Sequence, residues 1–129
     1  MILENPQQSC QEWQQRLKLQ DWDISVKVVP HRESEGAWGN VRWNLQEKFA
    51  DIKLLDPNDQ SDGMRPYCME ETLVHELLHL HFALFDADAN TPEQLAQEQA
   101  INALARALVN LKNANLLPQG DTLNPSPAA

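Results

Sequence analysis

Three of the chain's four histidines fall within the seven residues His75–His81, and the only other polar residue there is Glu76. His75-Glu76-Leu77-Leu78-His79 has HExxH spacing. On an α-helix, residues four apart lie roughly 40° from each other around the axis, one turn apart, so both imidazoles can address one ion. Glu76, roughly 100° round from His75, stands beside such an ion rather than on it. Its carboxylate can hold a water there instead of ligating. A buried helix with two imidazoles and a carboxylate but no ion would leave costly unsatisfied polar groups. His81 projects roughly 200° from His79. It is expected to be a hydrogen-bonded structural histidine, and His31 an exposed loop residue.

A metal site that keeps a position open for chemistry takes three protein ligands, so two histidines need a third partner. The segment from Glu93 to Leu111, EQLAQEQAINALARALVNL, supplies the candidate. Its apolar stripe reads Leu95, Ile101, Leu104, Leu108 and Leu111, with Ala105 beside it. Glu98 interrupts that stripe, and an acid facing a core needs a partner. The competing reading is an acid at the stripe's edge that reaches solvent. Glu93 is the rival ligand, but in a first helical turn the helix dipole already accounts for an acid. Asn102, four residues after Glu98, shares its face. It either hydrogen-bonds the outer nitrogen of a ligating histidine or is an exposed helix residue.

These side chains must be positioned by a small set of elements. Pro6–Gln20 reads as a helix, with Pro6 at an early position and Cys10, Trp13 and Leu17 on one face. Trp22–Val29 alternates apolar and polar residues as a half-buried strand does. Ala37–Leu45 and Lys48–Asp56 are further strands, Gly39 marking a bulge in the first. Asp56–Pro66 is a loop of turn formers whose acids lack the spacing of a calcium loop. The motif helix is expected over Met69–Phe85. A third helix begins at Thr91-Pro92-Glu93-Gln94, with Thr91 as N-cap and Gln94 completing a capping box, and runs to about Lys112. The layout is α+β, a small and mostly antiparallel sheet packed on helices. Residues 1–117 form one domain, and 118–129 are a polar, Pro-rich tail expected to be disordered. The four tryptophans, at these spacings, are expected in the core.

With 129 residues and 42% apolar content, the chain suits a single modest core. A net charge of -9 disfavours nucleic acid as a partner. No run is long enough to span a membrane. The first residues lack the basic and apolar regions of a secretory signal, so a cytoplasmic protein is expected, with Cys10 and Cys68 as free thiols. The Cys pair of the zinc deaminases is missing.

HELLH, followed after 19 residues by Glu98 and then by Asn102, resembles the gluzincin class of zinc metallopeptidases. It is most similar to the small single-domain members, the minimal gluzincins and phage-type metallopeptidases. EQAINALA also resembles, distantly, the corresponding helix of the ImmA/IrrE metallopeptidases, with Ile101 in place of the usual Ala. The resemblance implies a zincin-like fold and Zn²⁺ held by His75, His79 and Glu98, with Glu76 as general base for peptide hydrolysis. It also implies that a strand preceding the motif helix rims the cleft and pairs with an extended peptide or protein substrate. Lys48–Leu55 is the expected rim. Tyr67, just before the motif helix, is either a packing residue or an oxyanion donor. The alternative is a non-catalytic metal-binding module, regulatory or sensory, on the same fold.

Overall fold

The computed structural model describes residues 2–60 and 66–118. The elements run α1 (Pro6–Leu17), β1 (Asp23–Val29), β2 (Gly39–Asn44), β3 (Phe49–Leu55), α2 (Met69–His81) and α3 (Pro92–Asn113). Single 3₁₀ turns lie at His31–Glu33, Pro57–Asp59 and Ala83–Phe85. The architecture is the expected α+β one, zincin-like in its order. Among the described residues no helix is long and apolar enough to cross a membrane. The expected tail from residue 119 onward, and residues 61–65 of the acidic loop, lie outside the described residues.

α1 starts where Asn5 Oδ1 accepts a hydrogen bond from the Gln8 amide, with Pro6 at the first helical position. It stops at Lys18, which takes the left-handed conformation at φ 62°. Buried Gln14 then donates to the carbonyls of Leu19 and Trp22, fixing the turn into β1. Gln7 reaches sideways from α1, donating to the Ile24 carbonyl while accepting from the Val26 amide. Its amide thus acts as a short extra rung on the outer edge of β1.

The sheet order is β1-β3-β2, with β1 parallel and β2 antiparallel to β3. Two expectations change. The sheet is mixed rather than mostly antiparallel, because residues 30–38 carry the chain past the place that β3 later fills. And β3, expected as the rim, is the central strand, its backbone paired on both sides. Its helix-facing residues Ala50, Ile52 and Leu54 are wholly buried, so the most apolar strand takes the middle. The open edge is β2.

α2 is closed at its start by Cys68, whose Sγ accepts from the Glu71 amide. It ends at His81, and the expected extension to Phe85 is a 3₁₀ turn. α3 begins as expected at Thr91, whose Oγ1 accepts from the Gln94 amide. Its buried face keeps Ile101 and Ala105 of the expected stripe but not most of its leucines. Ile101, Ala105 and Val109 are buried, whereas Leu95, Leu104 and Leu111 are exposed. Small Ala105 lets α3 approach α2 closely, and that contact rather than leucine content sets the helix's rotation. Buried Glu70 links the three helices: it accepts from Trp13 Nε1 at 2.8 Å and pairs with Lys112 Nζ at 3.1 Å.

Candidate metal centre

α2 and α3 run antiparallel, and beside their apolar contact a line of polar side chains meets across a groove. His75 and His79, one turn apart on α2, both bring Nε2 to the groove, 3.3 Å from one another. Glu98 Oε2 comes from α3 to 3.2 Å of His75 Nε2 and 3.4 Å of His79 Nε2. Among the described residues this is the one cluster of three or more His, Cys, Asp or Glu side chains able to share an ion. The rival Glu93 lies outside it, in the first turn of α3.

The three atoms form a nearly equilateral triangle. A tetrahedral ion with bonds of about 2.0–2.1 Å would have its ligand atoms about 3.3–3.4 Å apart, so the triangle fits. Its electrostatics point the same way. All three atoms carry lone pairs. A single proton can relieve one edge of the triangle, but a divalent cation at its centre relieves all three. Glu98 Oε2 is shut off from solvent and has no hydrogen-bond partner, although the side chain as a whole is 39% exposed. Burial pushes His75 below its ordinary imidazole pKa, with the charge of Glu98 pulling the other way. Neutral imidazole is the form that ligates. The two histidines and Glu98 therefore make a three-ligand site suited to a divalent metal.

Glu76 lies beside this triangle. It is 6% exposed, and burial, reinforced by the charge of Glu98, raises its carboxyl to about 8. Its Oε2 faces Gly39 of β2. A Cβ at Gly39 would stand 3.3 Å from that oxygen and 2.6 Å from Thr72 Cγ2. β2 can cross α2 this closely only where it has no side chain. The sequence signal was present, a lone glycine within a strand pattern, but it marks a close approach rather than a bulge.

The other candidates separate cleanly. Asn102 faces His75 from the next turn of α3 and favours its protonated form. Tyr67 is not free to serve as an oxyanion donor, since its hydroxyl donates to the Leu55 carbonyl at 2.9 Å. It props the chain leading into α2 and packs against Trp38, ring centroids 5.4 Å apart. His81 turns away from the centre, as expected, and Nε2 donates to the Leu17 carbonyl at 2.7 Å. His31 is exposed.

A cleft of about 700 Å³ opens onto the centre. Its walls are β2 on one side and α3 on the other, and α2 forms its floor. Trp13 and Trp22 are in the core as expected, but Trp38 and Trp43 are only partly buried and line this cleft. Arg106, which sequence reasoning did not single out, also lines it.

Comparison with family models, with curated proteins and with solved structures finds no match.

Proposed function

We propose that the chain is a zinc-dependent metallopeptidase that hydrolyses peptide bonds in this cleft. One observation carries the reading: a three-ligand triangle of tetrahedral size with a buried carboxylate, Glu76, beside it at the base of an open cleft. His75, His79 and Glu98 would hold Zn²⁺, which when bound would polarise a carbonyl and acidify a water. Glu76 is the general base. Its carboxylate takes a proton as water oxygen bonds to the scissile carbonyl carbon, and it returns that proton to the amine nitrogen as the C–N bond breaks. Asn102 holds His75 in one orientation. The substrate, an extended peptide or protein segment, pairs with the open edge of β2, which offers main-chain donors and acceptors. Trp38 and Trp43, which line the cleft, offer the substrate apolar surface. The free thiols Cys10 and Cys68 support a cytoplasmic setting.

A second reading, a non-catalytic metal-binding module, is favoured by one observation. Tyr67, the candidate oxyanion donor, has its only hydroxyl proton committed to Leu55. The test is to purify wild type and Glu76→Gln, measure zinc content, and assay both on unfolded protein and peptide substrates. The peptidase reading expects near one-to-one zinc in both and cleavage by wild type alone. Equal inertness of the two proteins with zinc bound would favour the second reading. Loss of stoichiometric zinc from wild type would remove both.

A further inference from the structure

The groove between α2 and α3 is built as a ladder of three rungs. Glu71, His75 and His79 follow one another at single-turn spacing on α2. Opposite them on α3 stand Arg106, Asn102 and Glu98, in that order. Two rungs belong to the metal centre. The rung Glu71–Arg106 does not. Arg106 lies eight residues beyond Glu98, about 12 Å along the helix axis.

Arg106 lines the same cleft as the centre, and among the described residues it is the only Lys or Arg that does so. Its one ion pair there runs from Nε to Glu71 Oε1 at 3.6 Å, and its side chain is 56% exposed. A full carboxylate fork engages two guanidinium nitrogens at shorter range. This contact uses one, so Glu71 aims the guanidinium without occupying its two terminal nitrogens. Exposed pairs of this kind add little to stability. The other carboxyl side chains among the described lining residues are Glu71, Asp86 and Glu98, beside the buried Glu76. In a chain with a net charge of -9, Arg106 is, among the described residues of the cleft, the one fixed cation an entering anion meets away from the metal centre.

Resting on the peptidase reading of the cleft, we propose that Arg106 is a specificity-determining residue. It selects peptides that carry a carboxylate two to four residues from the bond held at the metal centre. That spacing follows because the centre lies between the His75 and His79 rungs, one to two helical turns or about 6–12 Å from Arg106, at roughly 3.3 Å per residue of extended chain. The carboxylate belongs either to an acidic side chain or to the peptide's C-terminus. An arginine fork suits both equally.

The test uses a panel of neutral peptides into which one Glu is walked position by position. Each peptide has a Gln counterpart, and each is made with a free and an amidated C-terminus. Binding to the zinc-loaded Glu76→Gln protein, and to metal-free wild type, is measured by calorimetry at fixed low salt. One Glu position, or the free C-terminus alone, is expected to bind about tenfold tighter than its neutral counterpart. Arg106→Gln is expected to abolish the difference, Arg106→Glu to invert it so that the neutral counterpart binds tighter, and Glu71→Gln to widen it. Equal binding of charged and neutral peptides, a preference that survives Arg106→Gln, or no peptide binding would overturn the proposal. Parallel turnover by zinc-loaded wild type separates the two readings. Cleavage without carboxylate preference overturns the role of Arg106 and leaves the peptidase. Carboxylate-selective binding without cleavage leaves Arg106 and removes the peptidase.

Discussion

Glu98 stands opposite His79 across the α2–α3 groove, its Oε2 3.4 Å from His79 Nε2, although 19 residues separate them in sequence. The contact holds two electron-rich atoms together, since Glu98 Oε2 has no hydrogen bond to compensate its burial. Metal affinity and the packing of α2 on α3 are therefore linked through this pair.

Glu98→Ala is expected to weaken zinc binding by more than about 100-fold, because it removes a ligand atom rather than a supporting contact. Asn102→Ala is expected to cost roughly 10-fold by loosening His75. His81→Ala is expected to leave zinc affinity unchanged and to lower stability by about 1 kcal/mol through the lost bond to Leu17. Competition against a chromophoric chelator, with urea melts alongside, reads all three. A loss of zinc affinity in His81→Ala would contradict the assignment of its face.

Zinc is expected to raise the thermal midpoint in proportion to ln[Zn²⁺], because the triangle exists only when α2 and α3 are packed. At free zinc about 100-fold above Kd the gain is about 2.7 kcal/mol. Calorimetric scans over a zinc titration would show it, and a midpoint insensitive to zinc would mean that the triangle holds no ion.

Gly39→Ala is expected to destabilise by roughly 1–3 kcal/mol, because the new methyl meets Thr72 Cγ2 at 2.6 Å and pushes β2 off α2. Thr72→Ser removes that Cγ2. The double variant Gly39→Ala/Thr72→Ser should recover much of the loss, and a double-mutant cycle from denaturant melts measures the coupling. Additive single effects would mean that the crossing is not as tight as its geometry indicates.

Burial raises the Cys10 thiol from 9.0 to about 12, and the side chain is 0% exposed. The thiol is neutral in the folded state across the range where the unfolded chain ionises. The folded state therefore binds the extra proton between pH 9.0 and about 12, and stability falls as pH rises through that window. The slope contributed is at most about 1.4 kcal/mol per pH unit. Urea melts across the alkaline range should show it in wild type and show less of it in Cys10→Ala. The same burial predicts that iodoacetamide labels Cys68, which lines the cleft, well before Cys10.

Much of the site could be read from the chain because helical spacing is local. His75, Glu76 and His79 need only a regular α2, and Thr91 with Gln94 announces the start of α3. What escaped depends on contacts between distant segments. The central place of β3 is decided by pairing with β1 and β2 together. The face of α3 is decided by Ala105 fitting against α2, so the leucines at 95, 104 and 111 misled. Gly39 and Arg106 matter through what lies across the cleft from them, and Glu70 through Trp13 and Lys112 on two other helices. None of these relations leaves a periodic trace along the chain.

The amide of Gln7 bears on more than the placing of β1. A β-structure that stacks copies into a fibre needs each copy to offer two edges. Here one edge is engaged by the chain's own side chain, and the other opens into the cleft, where α3 stands across from it. The two edges of this sheet are therefore not equivalent: the β1 edge has its Ile24 carbonyl and Val26 amide satisfied from within the chain, whereas the β2 edge borders the cleft.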